Sequence, residues 1–335
     1  MSSSVSSSSR NSHSSHQSSS SSSSSSSSAS RISSSSTVGT RILIGHRKQV
    51  NCLEWDRKGD RLATCGMDQS VRVWPIERMG SSTELIGHTG RVDQTHWFLN
   101  DDNLLLSGSS DASVRFWDLR TNANVANIAV GGDNLHMSMS PCGKYIATSS
   151  SQDMLSLIDL RTKRVYYSAK ARYELNQHSW DRTGALFCIA NGLGQVVLHS
   201  FNNTDRPIEK LGLIQAHTGN CFCLQFAKSG RYFLSAAADA TAVLWDVEDV
   251  VPLRSYAHCS SKIRAVGFSY DSKYIALGSE DDVVHVVEVG SGDRVARVAT
   301  DNASTVSLDW HPSKHILAFS GQHPSGNVML WGTGL

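Results

Sequence analysis

Between His88 and Asp111 the chain places a histidine, a serine (Ser107) and an aspartate, the side chains with which hydrolases activate a nucleophile. The set is followed by Trp117, and it recurs. His46, Thr64, Asp68 and Trp74 form one copy, and His217, Ser235, Asp239 and Trp245 form another. The histidine-to-aspartate spacing is 22, 23 and 22 residues, and the aspartate-to-tryptophan spacing is six each time. Acyl transfer needs one constellation beside one oxyanion site, so three equivalent copies along a chain have no catalytic logic. We expect no catalytic residue here and read the trio as structural.

The elements that carry these residues are short. "SVRVW" (70–74), "SVRFW" (113–117) and "TAVLW" (241–245) alternate as strands do and are bounded by Gly, Asp and Ser. No helical period of any length interrupts them. Aligning the end of this strand gives Trp74, Trp117, Ile158, His199, Trp245, Val287 and Trp331, separated by 43, 41, 41, 46, 42 and 44 residues. Seven units of this length, each with several short strands, predict an all-β, seven-bladed β-propeller. Some units depart from the pattern. Asp153 stands five residues before Ile158, "NGLG" (191–194) has no aspartate, and Ser325 occupies the aspartate position of the seventh unit. The last unit lacks an outer strand, and "TRILI" (40–44) is the unassigned piece that could supply it. A single propeller domain over 38–335 is therefore expected, with 40–44 closing the ring and removing an exposed sheet edge.

Gly45-His46 with Trp74, Gly87-His88 with Trp117-Asp118, Ala216-His217 with Trp245-Asp246, and Ala257-His258 with Val287-Glu288 resemble the landmarks of the WD-repeat family. The resemblance implies that histidine, hydroxyl, aspartate and tryptophan form a buried hydrogen-bonded network tying the loop before the first strand to the turn between the second and third. It also implies a top face lined by the third and fifth positions after each histidine and the residue before each turn aspartate. These are Gln49, Asn51 and Met67; Arg91, Asp93 and Ser110; Asn220, Phe222 and Ala238; and, with one residue inserted, Lys262, Arg264 and Glu280. Met67 and Phe222 are apolar where water is expected, which makes them candidate anchors for a bound segment. Phe222 has an alternative, packing sideways on a neighbouring blade.

Composition narrows the function. Thirty-one basic against thirty acidic residues give a net charge of +1, so no bulk field draws the chain to nucleic acid or an anionic membrane. No apolar run reaches the ~18 residues of a membrane span, and no apolar secretory leader is seen. The seven cysteines (Cys52, Cys65, Cys142, Cys188, Cys221, Cys223, Cys259) include no Cys-x-x-Cys pair and no zinc-like pairing of pairs. They are expected to be buried, reduced and apolar in role, which points to cytosol or nucleus, with no metal and no cofactor. Residues 1–36 contain 26 serines and are expected, within a tail over 1–37, to be disordered. Such a tail is either a neutral expansion or a multiply phosphorylated recruiter.

Finer resemblance lies in "RVDQTHW" (91–97), "ELNQHSW" (174–180), "NCFCLQFAKSGRYFLSAAADATAVLWDVEDVV" (220–251), "GSEDDVVHVVEVGSGD" (278–293) and "LDWHPSKHILAFS" (308–320). These are similar to the WD-repeat subunits of the THO complex, over roughly 42–332. The resemblance implies a nuclear, non-enzymatic scaffold in transcription-coupled messenger-RNA packaging and export. It would hold large helical THO subunits and, through them, an RNA helicase and export adaptors, with weak or indirect RNA contact and no small-molecule substrate. Two other readings stay open. Trp117, Asp118, Leu119 and Arg120 form a WDxR string that Ile158, Asp159, Leu160 and Arg161 nearly repeat, a pairing found in substrate receptors of cullin–RING ubiquitin ligases. Peptide reading through a propeller channel, as by chromatin readers, is the other.

Overall fold

The computed structural model describes residues 38–78, 80–202 and 207–333. The expected serine-rich tail lies outside the described residues. Among those described, regular structure is 28 strands and one 3-10 turn, Ile76–Arg78, arranged as seven four-stranded antiparallel sheets. This is the seven-bladed propeller that the repeat spacing predicts. Among the described residues no helix is long and apolar enough to cross a membrane.

Each blade runs from an inner strand through a second and third to an outer strand. Blade 1 is Val50–Trp55, Arg61–Gly66, Ser70–Pro75 and Thr83–Ile86. The inner strands of blades 2 to 7 are Val92–Trp97, Asn134–Met139, Leu175–Trp180, Cys221–Phe226, Ile263–Phe268 and Thr305–Trp310. Second and third strands bury both faces, as in "ATCG" (63–66) and "VRVW" (71–74), because neighbouring blades pack on each side. Outer strands are mostly exposed.

Blade 7 is assembled from distant parts of the chain. Val38–Leu43 pairs antiparallel with Val328–Thr333, from Val38 opposite Thr333 to Leu43 opposite Val328. Leu43 is buried among Val328, Leu330, Trp55 and Trp74, whereas the next residue, Ile44, is 73% exposed. The seam between blades 7 and 1 is closed again at the inner strands. Trp55 N donates to Asp309 Oδ2 (2.9 Å) and Leu53 N to Ser307 Oγ (3.2 Å). At the same seam His311 Nε2 donates to the Gly59 carbonyl (3.1 Å). Gly59 has φ +79°, and a Cβ there would sit 2.1 Å from the His311 ring, so both backbone and space require glycine.

All seven inner strands share an irregularity that sequence alternation hides. Each slips register by one residue against its second strand, between residues 50 and 52 in blade 1 and at the equivalent place in every other blade. A bulge of this kind re-aims one side chain out of the pleat. The residues it releases include Asn51, Asp93, Phe222 and Arg264.

The cysteines correct one expectation. Five are buried, but Cys142 is exposed and Cys259 half-buried. Cys142 lies in the turn after the blade 3 inner strand, outside the packed strands, and Cys259 lies in the loop entering blade 6.

If ring closure depends on Leu43, then Leu43→Ala should cost about 2–5 kcal/mol, the price of a core cavity, and Ile44→Ala less than ~0.5 kcal/mol. Chemical denaturation of both variants checks this; equal, small losses would contradict it.

Candidate functional site

The three complete brackets have nearly the same geometry. In blade 1 His46 Nδ1 lies 2.9 Å from Asp68 Oδ2, His46 Nε2 lies 2.7 Å from Thr64 Oγ1, and Trp74 Nε1 donates to that hydroxyl at 2.9 Å. Blade 2 repeats this with His88, Asp111 (2.8 Å), Ser107 (2.7 Å) and Trp117 (2.7 Å). Blade 5 repeats it with His217, Asp239 (3.2 Å), Ser235 (2.8 Å) and Trp245 (2.9 Å). The proton order follows from donor chemistry. The indole N–H can only donate, so the hydroxyl accepts from tryptophan and gives its own proton to Nε2; Nδ1–H then donates to the carboxylate. Each aspartate also accepts the backbone N–H after the histidine, from Arg47, Thr89 or Thr218.

The only proton of such a hydroxyl is committed to the imidazole, and Thr64, Ser107 and Ser235 are fully buried, so no substrate reaches them. His88 and His217 are held below the usual histidine range by burial, against the pull of Asp111 and Asp239. Burial opposes ionisation of Asp68, Asp111 and Asp239 as well, but the hydrogen bonds they receive outweigh it and hold all three low, Asp111 at about 2.

The degenerate blades replace the bracket. Asp153 sits one position late, at φ +60°, where Gln69, Ala112 and Ala240 stand in the complete blades. Its carboxylate turns to the next blade and accepts Leu175 N (3.0 Å). Around blades 3 and 4 aromatic packing takes over: Trp180 lies 4.6 Å from Phe187 and 4.8 Å edge-on from Phe201, which touches Tyr145 at 5.4 Å.

The expected top-face residues are brought together in pairs. The backbone N–H of Met67, Ser110, Ala238 and Glu280 donates to the carbonyl of Gln49, Arg91, Asn220 and Lys262 respectively, at 2.9 to 3.0 Å. Side chains extend the ties. Asn51 Nδ2 donates to Asp93 (3.1 Å), Arg91 pairs with Asp93 (2.9 Å), and Asn220 donates to Glu174 (3.3 Å). Arg264 pairs with Glu280 (2.8 Å), and its guanidinium covers the Phe222 ring at 4.1 Å. Phe222 packs against the buried cluster of blades 5 and 6 and also lines the central cavity. Met67 is 41% exposed, and Lys262 is exposed. Arg120 and Arg161 are in the turns between third and outer strands, at the opposite end from the aspartate turns. Arg120 is chelated by Asp118 at 2.7 and 2.9 Å, and Arg161 is exposed.

A central belt escapes the sequence reading. The bulged inner strands line a cavity of about 300 Å³. Within it, polar side chains stitch one blade to the next at five of the seven seams. Glu54 accepts Trp97 N (2.9 Å) and His96 Nδ1 (3.1 Å), His96 Nε2 donates to the Met137 carbonyl (2.8 Å), and Gln177 and Gln225 accept Leu224 N (2.8 Å) and Phe268 N (2.9 Å). Burial disfavours charge on His96, but Glu54 raises it to about 9, whereas burial pushes Asp309 up to about 7. The available signal is a polar residue just before the aromatic that ends the strand: Glu54-Trp55, His96-Trp97, Gln225-Phe226 and Asp309-Trp310.

These groups set a pH dependence. His88, His136, His178, His199, His217, His285 and His311 are all depressed, with burial the largest cause. An unfolded chain would protonate them near pH 6.5, so it binds more protons than the fold below that value and stability falls with pH. His96, Asp309 and Asp93 (raised to about 6 by burial) act in the opposite sense, but they are fewer. The melting temperature should be lower at pH 5.5 than at pH 7.5 by a few degrees, the effect of ~1–2 kcal/mol in a chain this size. A further fall is expected below pH ~4, as the bracket aspartates protonate. A rise between pH 7.5 and 5.5 in a thermal melt would contradict the assignment.

Comparison with known proteins agrees with this geometry. The pattern described as "WD domain, G-beta repeat" (WD40) matches residues 35–75, 80–118, 208–246 and 250–288. The blades it leaves out, 3, 4 and 7, are those that lack the histidine and turn aspartate of the bracket. The chain is 33% identical to THO complex subunit 3 of Arabidopsis thaliana over 281 residues, covering 83% of this chain and 88% of that protein. It is 26% identical to WD repeat-containing protein AAC3 of Dictyostelium discoideum, covering 87% of this chain and 66% of that one. Among solved structures, the Cps50 (Swd1) β-propeller domain of Myceliophteria thermophila superposes with a TM-score of 0.76 at 19% identity, over 88% of this chain and 99% of that one, a likeness of fold alone. The chain belongs to the WD-repeat family, in the group represented by THO complex subunit 3.

Proposed function

We propose that this chain is the WD-repeat scaffold of a THO-type complex, acting in the nucleus to couple transcription to messenger-RNA packaging and export through protein contacts. The observation that carries this reading is the extent of the match: it spans most of both chains and includes the degenerate blades, so it is more than a shared repeat. The partners are large helical subunits, which engage an RNA helicase and export adaptors. The near-neutral charge favours weak or indirect RNA contact. Because every complete bracket is buried, the working surface is the rim of each face. The top face, with Met67, Lys262 and the Phe222–Arg264 pair, is our candidate docking region.

Affinity purification of the tagged chain from nuclease-treated nuclear extract, with cross-linking and mass spectrometry, tests this. Large THO subunits should be recovered in stoichiometric amount, with cross-links through Lys262 and through Lys48, which is exposed in the loop entering blade 1. Arg264→Glu, which breaks the Glu280 pair and uncovers Phe222, should lower their recovery about tenfold, as loss of an interface hot spot does. Recovery of a cullin adaptor in their place, lost in an Arg120→Ala, Arg161→Ala double variant, would overturn the proposal in favour of the ligase reading. Undiminished THO recovery with Arg264→Glu would leave the complex but reject this face.

A further inference from the structure

Blade 6 keeps the histidine and aspartate of the bracket but has lost what lies between them. Leu277 stands where Thr64, Ser107 and Ser235 stand in the complete blades, and Val287 replaces the tryptophan. With no hydroxyl to meet it, His258 turns away and its Nε2 donates to the Gly292 carbonyl at 2.9 Å. Asp281 loses its imidazole partner and accepts Ser260 N (2.9 Å), Ser260 Oγ (3.2 Å) and Ser279 Oγ (3.1 Å) instead.

Two side chains without counterparts in the complete brackets converge on this carboxylate. Cys259 follows His258 as Arg47, Thr89 and Thr218 follow their histidines, and His285 occupies the strand position of Arg72 and Arg115. One donor atom from each of Cys259, Asp281 and His285 lies within 4.8 Å of the other two. Independently, His285 is only 3% exposed and its Nδ1 is buried with no hydrogen-bond partner. A buried ring nitrogen left unpaired costs about 1–3 kcal/mol, which a ligand at that atom would recover.

We propose that Cys259, Asp281 and His285 form a zinc site in blade 6, where the structural bracket has been dismantled. A thiolate, an imidazole and a carboxylate are the mixed donor set Zn²⁺ accepts, with water completing a tetrahedron. Ligands ~2.0–2.3 Å from zinc stand ~3.3–3.8 Å apart, so closure from the observed spacing needs only side-chain rotation. Two of the three ligands are already in suitable protonation states. Burial, helped by Arg294 and Arg297, keeps His285 neutral with a free lone pair, and Asp281 is ionised. Burial pushes the Cys259 thiol up to about 11, so zinc must displace its proton, one released per ion bound. The adjoining cavity of about 280 Å³ is lined by Asp281 and Asp282 together with Arg294 and Arg297, so its fixed charges balance before the ion enters.

The test uses the full chain, loaded with Zn²⁺ or Co²⁺ and freed of excess metal. About one zinc per chain should be retained, and the cobalt form should show thiolate-to-metal absorption in the near ultraviolet. Cys259→Ser, at a half-buried position the fold should tolerate, should abolish the absorption and the retained zinc, while Cys142→Ser keeps both. Asp281→Asn provides a second variant of unchanged shape and should also lose zinc. No retained zinc and no thiolate band would overturn the proposal and leave a hydrogen-bonded Cys–Ser–Asp cluster. A band that survives Cys259→Ser would overturn it too, by placing the metal elsewhere.

Discussion

A buried imidazole destabilises a blade unless its ring nitrogens are paired, and the complete blades depend on how this chain pairs both of them. The hydroxyl of Thr64, Ser107 or Ser235 is the hinge of the arrangement, because it alone can accept from the indole and donate to the histidine at once. The aspartate completes the other side and holds the following backbone N–H. One network thus ties the strand core, the entry loop and the top turn of a blade. Burial explains why residues resembling a hydrolase triad serve as structure: each hydroxyl is fully enclosed and also holds the indole, so no substrate carbonyl can approach it.

Blades built this way still have to form a ring. The Glu54, His96, Gln177, Gln225 and Asp309 belt does this at the centre, each side chain meeting a backbone group of the next blade. Val38–Leu43 does it at the rim by completing a sheet that starts nearly 270 residues later. Where the bracket is absent, other physics substitutes. Blades 3 and 4 use aromatic contacts around Trp180, Phe187 and Phe201, and blade 6 uses apolar Leu277 and Val287, which frees its polar groups for another role. A scaffold tolerates such variety because each blade needs only to bury its strands and meet its neighbours.

Periodicity made much of this legible in the sequence. Seven strand ends at 41 to 46 residue intervals show the blades, and a spacing of 22 or 23 residues with a fixed six-residue sequel shows the brackets. What escaped was set by local geometry or by long-range contact. A bulge is one extra residue in a strand and leaves the composition unchanged, so the turning of Asn51, Phe222 and Arg264 toward the channel mouth could not be read from alternation. Asp153 looked like a misplaced turn aspartate because a one-residue shift moves it into the left-handed position. Searching for paired cysteines missed Cys259, whose neighbours Asp281 and His285 come from the next hairpin. Residue type places Cys142 in the core, whereas its position in a turn leaves it exposed.

The central claim is that histidine, hydroxyl, aspartate and tryptophan act as one structural unit within a blade. A double-mutant cycle on Ser107→Ala and Asp111→Asn measures this most directly, since both act through His88. Their effects on unfolding free energy should be non-additive by about 1 kcal/mol or more, whereas Ser107→Ala and Ser235→Ala, in different blades, should add within ~0.5 kcal/mol. Additivity within blade 2 would contradict the account, and would mean that the residues share a location without sharing a network.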